Sequence, residues 1–158
     1  MTYSISAVGV DFTRVTADPE FTLGTTVRSS DGGEWTYVKA GTALTQYDFA
    51  GIDENFSAAP LTDAIALDGW IVGVAQVAFT VNYYGWLPTR GANISGTVGA
   101  SCAADVDLWT SATGGVLDDD STTIPYTKID GVVAVGANTL TIAAAVEVLL
   151  TFPRSSAF

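Results

Sequence analysis

From Thr139 to Phe152 the chain alternates without a break. Leu140, Ile142, Ala144, Val146, Val148, Leu150 and Phe152 hold one set of positions, and Thr139, Thr141, Ala143, Ala145, Glu147, Leu149 and Thr151 hold the other. A helix would mix the two sets, whereas a strand sends successive side chains to opposite faces. The stretch is therefore expected as a strand with one dry face and one small or polar face. The segment Gly131 to Gly136 reads as its neighbour, joined to it through Ala137 and Asn138.

The longest apolar run, WIVGVAQVAFTVNYYGWL (Trp70 to Leu87), carries neither proline nor charge. Its β-branched and aromatic content favours a pleated strand. Both faces of Ile71 to Thr80 are largely apolar, which predicts a central strand covered on both sides. The turn residues Asn82 to Gly85 then separate it from a second strand that ends toward Pro88.

Elsewhere the clearest local signal is a hairpin. Thr25 to Ser29 and Glu34 to Lys39 flank Asp31-Gly32-Gly33, where glycine supplies the positive φ of a tight turn. Trp35, Tyr37 and Lys39 share one face of the returning strand. Leu44 to Asp48 and Ala64 to Leu67 read as short strands, residues 49–62 as a loop, and Asp68-Gly69 as a turn. Gly91 to Val98 reads as a glycine-broken strand that bends, and Asp105 to Trp109 as another strand. A polar loop then runs from Gly114 to Pro125. No amphipathic helix longer than about two turns is found. The expectation is an all-β, single-domain antiparallel β-barrel or sandwich, jelly-roll-like, with little or no helix. Residues 1–20 form an N-terminal arm, 21–152 the β domain and 153–158 a C-terminal tail.

Composition bounds the chemistry. The 158 residues include 17 acidic and 6 basic side chains, for a net charge of -11. Nucleic acid and anionic membranes both require a basic footprint, so neither is an expected partner. Only 15% of residues are charged against 48% hydrophobic, so apolar surface is left over to meet a copy of the chain or a partner. Cys102 stands alone, which excludes an internal disulfide and a zinc cluster. Histidine is absent, removing the commonest general base and metal ligand. The opening MTYSISAVGVDFTRV lacks the regions of a secretion signal. No apolar run reaches the roughly 20 residues of a membrane span. A chain made in a cytoplasm is expected.

Acidic residues at Asp31, Asp68 and Asp118 to Asp120 fall at turns, where their side chains bond nearby amides. No nucleophile elbow, phosphate loop or dinucleotide fingerprint is present, so no enzyme, catalytic residue or cofactor is expected. Asp118-Asp119-Asp120 and Asp105-x-Asp107 offer oxygen ligands without the calcium-loop spacing, and a solvated acidic loop is preferred to a metal site. Trp70, Tyr83, Tyr84, Trp86 and Trp109 suit core or interface packing before a sugar-binding surface.

Three segments carry a likeness: LGTTVRSSDGGEWTYVKAG (Leu23 to Gly41), GVAQVAFTVNYYGWL (Gly73 to Leu87) and GTVGASCAADVDLWTSATGGVLDD (Gly96 to Asp119). In order and spacing they resemble the capsid decoration, or cement, proteins of short-tailed bacteriophages. The resemblance implies a β-rich homotrimer bound to the major capsid protein on the outer surface of the virion, stapling the shell against internal pressure. On that reading Thr2, Tyr3, Ile5, Val8 and Phe12 of the arm are the expected capsid-binding residues. The expected subunit interface is Tyr83, Tyr84 and Trp86, or the apolar side of the Leu140 to Phe152 strand. The rival classes are a fibre or tail component, a carbohydrate-binding β-domain and a small carboxylate hydrolase.

Overall fold

The hairpin forms as expected. In the computed structural model, which describes residues 7–120 and 126–156, β1 (Thr26–Arg28) pairs antiparallel with β2 (Glu34–Ala40), Val27 opposite Trp35. Its turn is held by Asp31, whose carboxylate accepts from the Gly33 amide at 3.0 Å and from the Ser29 hydroxyl. β2 is covered on both faces, with Trp35, Tyr37 and Val38 all buried.

Residues 49–62, expected as a loop, instead form β3 (Phe49–Ile52) and β4 (Ser57–Pro60). The Asp53 carboxylate caps their turn by accepting from the Asn55 and Ser57 amides. Alanine, glycine and proline hide these strands from a propensity reading, yet all four β3 residues are buried. Ala64 to Leu67, expected as a strand, lies in a short helix, α1 (Asp63–Leu67). Thr62 caps it, its hydroxyl accepting from the Ile65 amide at 3.3 Å. A Thr-Asp start is a helix signal that outweighs four alternating small and apolar residues.

The long apolar run is only partly a strand. β5 (Ile71–Val74) ends where the chain leaves the ladder, and residues 75–83 form a connection, anchored by buried Ala75 and Phe79 with Ala78 and Thr80 to Asn82 exposed, in place of the expected continuous central strand. Gln76 there hydrogen-bonds both backbone groups of Ser95, and Phe79 bridges Leu44, the one bridge in the expected Leu44 to Asp48 strand. The run is buried only at Val72 to Ala75 and at Phe79 before β6 begins, and such packing does not require a continuous ladder.

β6 (Tyr84–Val98) is longer than expected and passes straight through Pro88. A register shift between Glu34 and Trp35 of β2 absorbs the missing amide, the usual way a sheet tolerates proline. The bend expected at Gly91 is present: Gly91 has φ +143 and Asn93 φ +58, at the register shift against β10 (Ala144–Ser156). β7 (Leu108–Thr110), β8 (Leu117–Asp118) and β9 (Lys128–Ala134) complete the set. The loop expected from Gly114 thus contains β8.

The all-β class is borne out, with two parallel pairings, β2–β4 and β6–β8, among antiparallel ones. The hydrogen-bonded neighbours close two rings, β2-β4-β3-β5-β10-β6 and β10-β6-β8-β7-β9, which share the β6–β10 pair. Ring closure removes exposed edges for the strands within the rings, and β1, paired only with β2, lies outside them. One core cluster gathers Val38, Ala50, Ile52, Ala58 and Leu87 from the first ring, and a larger one joins the aromatic residues to Ile94, Leu108, Ile129, Val148 and Leu150.

β10 departs from the expected strand at both ends. Thr139 to Ala143 precede it as loop, so Leu140 and Ile142 stand 52% and 67% exposed rather than on a dry face. At the other end Pro153 to Ser156, expected as a tail, continue the strand opposite β9 and β5.

Candidate functional site

Residues 7–20, expected as part of an arm, pack against the β domain at Phe12, Thr16 and Glu20. Phe12, expected to touch a capsid, is buried: its ring stacks on Trp35 at 4.4 Å and meets Trp86 edge-on at 5.8 Å. Thr16 bridges Tyr84, and the Glu20 amide donates to the Tyr37 hydroxyl at 3.0 Å. Val8 is fully exposed. Thr2, Tyr3 and Ile5 lie outside the described residues.

The expected subunit interface is corrected in the same way. Trp86 belongs to the core, against Phe12, Phe21 and Tyr37. Tyr84 is half-buried, stacked on Tyr37 with the Lys39 ammonium 5.9 Å above its ring, and Tyr83 is also half-buried. Six aromatic rings close this end of the core; they do not form an outward ring.

The acidic residues separate by role. Asp107 pairs with Lys128 at 2.9 Å and so holds the start of β9. Cys102, Asp118 and Asp119 converge, their ligand atoms within 4.8 Å of one another. Asp119 accepts from the Ala103 amide and Asp118 from the Asp119 amide. Burial pushes the Cys102 thiol up to about 11, aided by the two carboxylates, and burial also raises Asp118. A thiol that keeps its proton is a poor nucleophile. The cluster's carboxylates are engaged with backbone amides, which suits a closed structural corner.

Exposed apolar side chains gather instead on β9 and β10. Leu149 lies directly opposite Val133 on the outward face, Val135 follows next to Glu147, and all three large apolar side chains are exposed. The loop joining the strands adds Leu140 and Ile142. It is built rather than loose: buried Asn138 donates to Gly99 O at 2.7 Å and Ile142 O at 2.9 Å, and accepts from the Leu140 amide at 3.0 Å. A fully bonded buried amide fixes one geometry, so two apolar side chains are held out in water by a rigid support. The alternation reading placed Leu140 and Ile142 inside; a Gly-Ala-Asn-Thr turn before them was the signal that they precede the strand.

A second feature sits at the far end of β10. Thr151, Phe152 and Pro153 bulge opposite Gly131, and Phe152 adopts φ +54, a left-handed conformation that is a true outlier for a bulky residue. The bulge turns Pro153 into the core and Phe152 out. Comparison with protein-family models, with curated proteins and with solved structures finds no match to this chain.

Proposed function

We propose that this chain is a structural virion protein, a capsid decoration protein that binds the outer surface of the head through the major capsid protein and associates with copies of itself. The observation that carries this reading is the outward apolar face of the β9–β10 hairpin: Val133, Val135, Leu140, Ile142 and Leu149, presented by a loop that Asn138 holds rigid. An acidic chain with so few charged residues remains soluble while free, and such a face is satisfied by contact. A decoration protein works by many modest contacts on a lattice, whose sum holds tightly. The resemblance in order and spacing of the three quoted segments supplies the capsid; the exposed face supplies contact between neighbouring copies, which holds them together on the shell. No catalytic role is part of this reading.

The test is the copy number of this chain against the major capsid protein in purified particles, measured by quantitative mass spectrometry. Hundreds of copies, lost on substituting Leu140→Asp together with Ile142→Asp, support the reading. A handful of copies assigns the chain to a tail or fibre, and complete absence from particles overturns it.

A further inference from the structure

The bulge at Phe152 borders a groove of about 260 Å³ lined by Thr26, Thr36, Ile52, Phe56, Ile71 and Phe152, among others. Phe152 and Ile71 are each 49% exposed along it. Its floor is apolar at Ile52, Phe56 and Ile71, with Glu34 and three threonines also bordering it, and Phe152 is kept there by a backbone conformation that bulky residues avoid. Strain that turns an aromatic side chain outward, away from the core, calls for a use at the surface.

Charge distinguishes this groove from the rest of the molecule. Three of the four arginines gather at it. Arg28 of β1 faces Glu34 of β2, which faces Arg90 of β6, and Arg90 in turn faces Thr151 beside Phe152. Arg154 stands opposite Ile71. The Arg90 guanidinium lies 5.6 Å from the Phe152 ring centre, and none of these three arginines makes an ion pair among the described residues. Asp53, Glu54 and Asp68 line a neighbouring pocket that shares Ile52, Phe56 and Ile71 with this groove. Glu34 borders the groove itself between Arg28 and Arg90, so the arginine side carries three cations and one carboxylate. Next to it, β1 is an edge strand: Thr25, Val27 and Ser29 bond β2 or its turn, and the backbone of Thr26 and Arg28 points away.

We propose that this groove binds an extended segment of a partner protein, one that places an apolar side chain against Phe152 and a neighbouring carboxylate toward Arg90 and Arg28. The proposal rests on the docking role argued above and names a docking site for it. A protein segment fits better than a polyanion, because a long polyanion would run from the arginines onto a surface that is acidic overall. Addition to the β1 edge would give the segment main-chain bonds, and the groove would select its side chain.

The experiment uses the full chain and labelled heptapeptides, acetylated and amidated, with Phe, Leu or Val at the centre and flanking Glu residues. The same peptides with Gln in place of Glu serve as controls. Saturable binding by fluorescence polarisation is expected, weakened about tenfold or more by the Glu-to-Gln peptides, by Arg90→Gln and by Phe152→Gly. Glycine takes a left-handed φ freely, so Phe152→Gly should keep its thermal midpoint, and Arg90→Gln serves as a second variant at an exposed position. No binding by any peptide at millimolar concentration, binding indifferent to both variants, or tighter binding of a heparin fragment would each overturn the proposal. Peptide binding by a chain found in no particle would uphold the groove while refuting the capsid reading.

Discussion

Replacing Phe12 by alanine tests whether the first twenty residues are an arm or part of the core. Phe12 is 5% exposed, stacks on Trp35 with an interplanar angle of 18° and meets Trp86 at 88°. Truncation removes the transfer energy of the ring and leaves a cavity between two indoles that are pinned by their strands, a loss of about 3–5 kcal/mol. For a domain of this size each kcal/mol lowers the midpoint by about 2–4 °C, so the melting temperature should fall by about 6–20 °C. Near-ultraviolet circular dichroism and tryptophan emission during urea unfolding both report the change, since Trp35 and Trp86 lose their packing. A loss below about 1 kcal/mol, small for a buried aromatic, would refute the assignment of Phe12 to the core. The same reasoning decides how to probe the segment before it: a deletion of residues 2–12 would unfold the aromatic stack, whereas one confined to residues 2–6 leaves Phe12 in place and can be scored for particle binding.

Asp63→Ala should cost about 2–4 kcal/mol, because one carboxylate oxygen accepts from the Thr110 hydroxyl, the Thr127 hydroxyl and the Thr127 amide and buried donors are expensive to strand; Asp63→Asn, which keeps an acceptor, should recover most of the loss in a urea titration. Cys102 should resist thiol reagents in the folded chain at pH 8 and react once unfolded, since its thiol is buried and raised to about 11. Because the unfolded thiol ionises near 9 and the folded one only near 11, its contribution is complete below pH 9 and is lost as pH rises from 9 through 11. Cys102→Ala should flatten that part of a stability-against-pH curve, and an unchanged slope would contradict the burial of the thiol.

The parts of the fold that were legible in the sequence are those whose local chemistry and tertiary setting agree. Asp31-Gly32-Gly33 is a turn by itself and remains one in the fold, and Val148 and Leu150 alternate inward as their spacing requires. Illegibility follows from two physical causes. An apolar run reports side-chain chemistry rather than pairing, so Gln76 to Phe79 resembles a strand although it is a partly exposed connection anchored by buried Phe79. Small residues conceal pairing, so Phe49 to Pro60 resembles a loop although it is a hairpin. The burial of the aromatic residues was illegible for a related reason. Aromatic residues suit interfaces and cores alike, and here Phe12, Trp35, Tyr37 and Trp86 spend their area inside. The exposed large apolar side chains are aliphatic ones on strands and in loops, among them Val133, Leu149, Leu140 and Ile142, plus a phenylalanine before a proline. The Thr-Phe-Pro sequence was a readable sign of broken alternation.

Both proposed contact faces are borne by β10, and its geometry sets how they act together. Ala144, beside the hairpin loop, and Phe152, at the bulge, are separated along the strand by roughly 26 Å, at about 3.3 Å per residue. That distance exceeds the Debye length of about 8 Å at physiological salt, so the charges around the groove do not sense what covers the hairpin tip. The two faces also differ in kind. Binding in the groove depends on arginines meeting a carboxylate and should weaken as salt rises. Self-association through Val133, Val135, Leu140, Ile142 and Leu149 is apolar, and it opposes the mutual repulsion of chains carrying a net charge of -11; screening that repulsion should strengthen it. A salt series that follows peptide polarisation and sedimentation in the same samples should therefore drive the two signals in opposite directions. If both fall together, the hairpin contact is ionic and its apolar face is not what holds copies to one another.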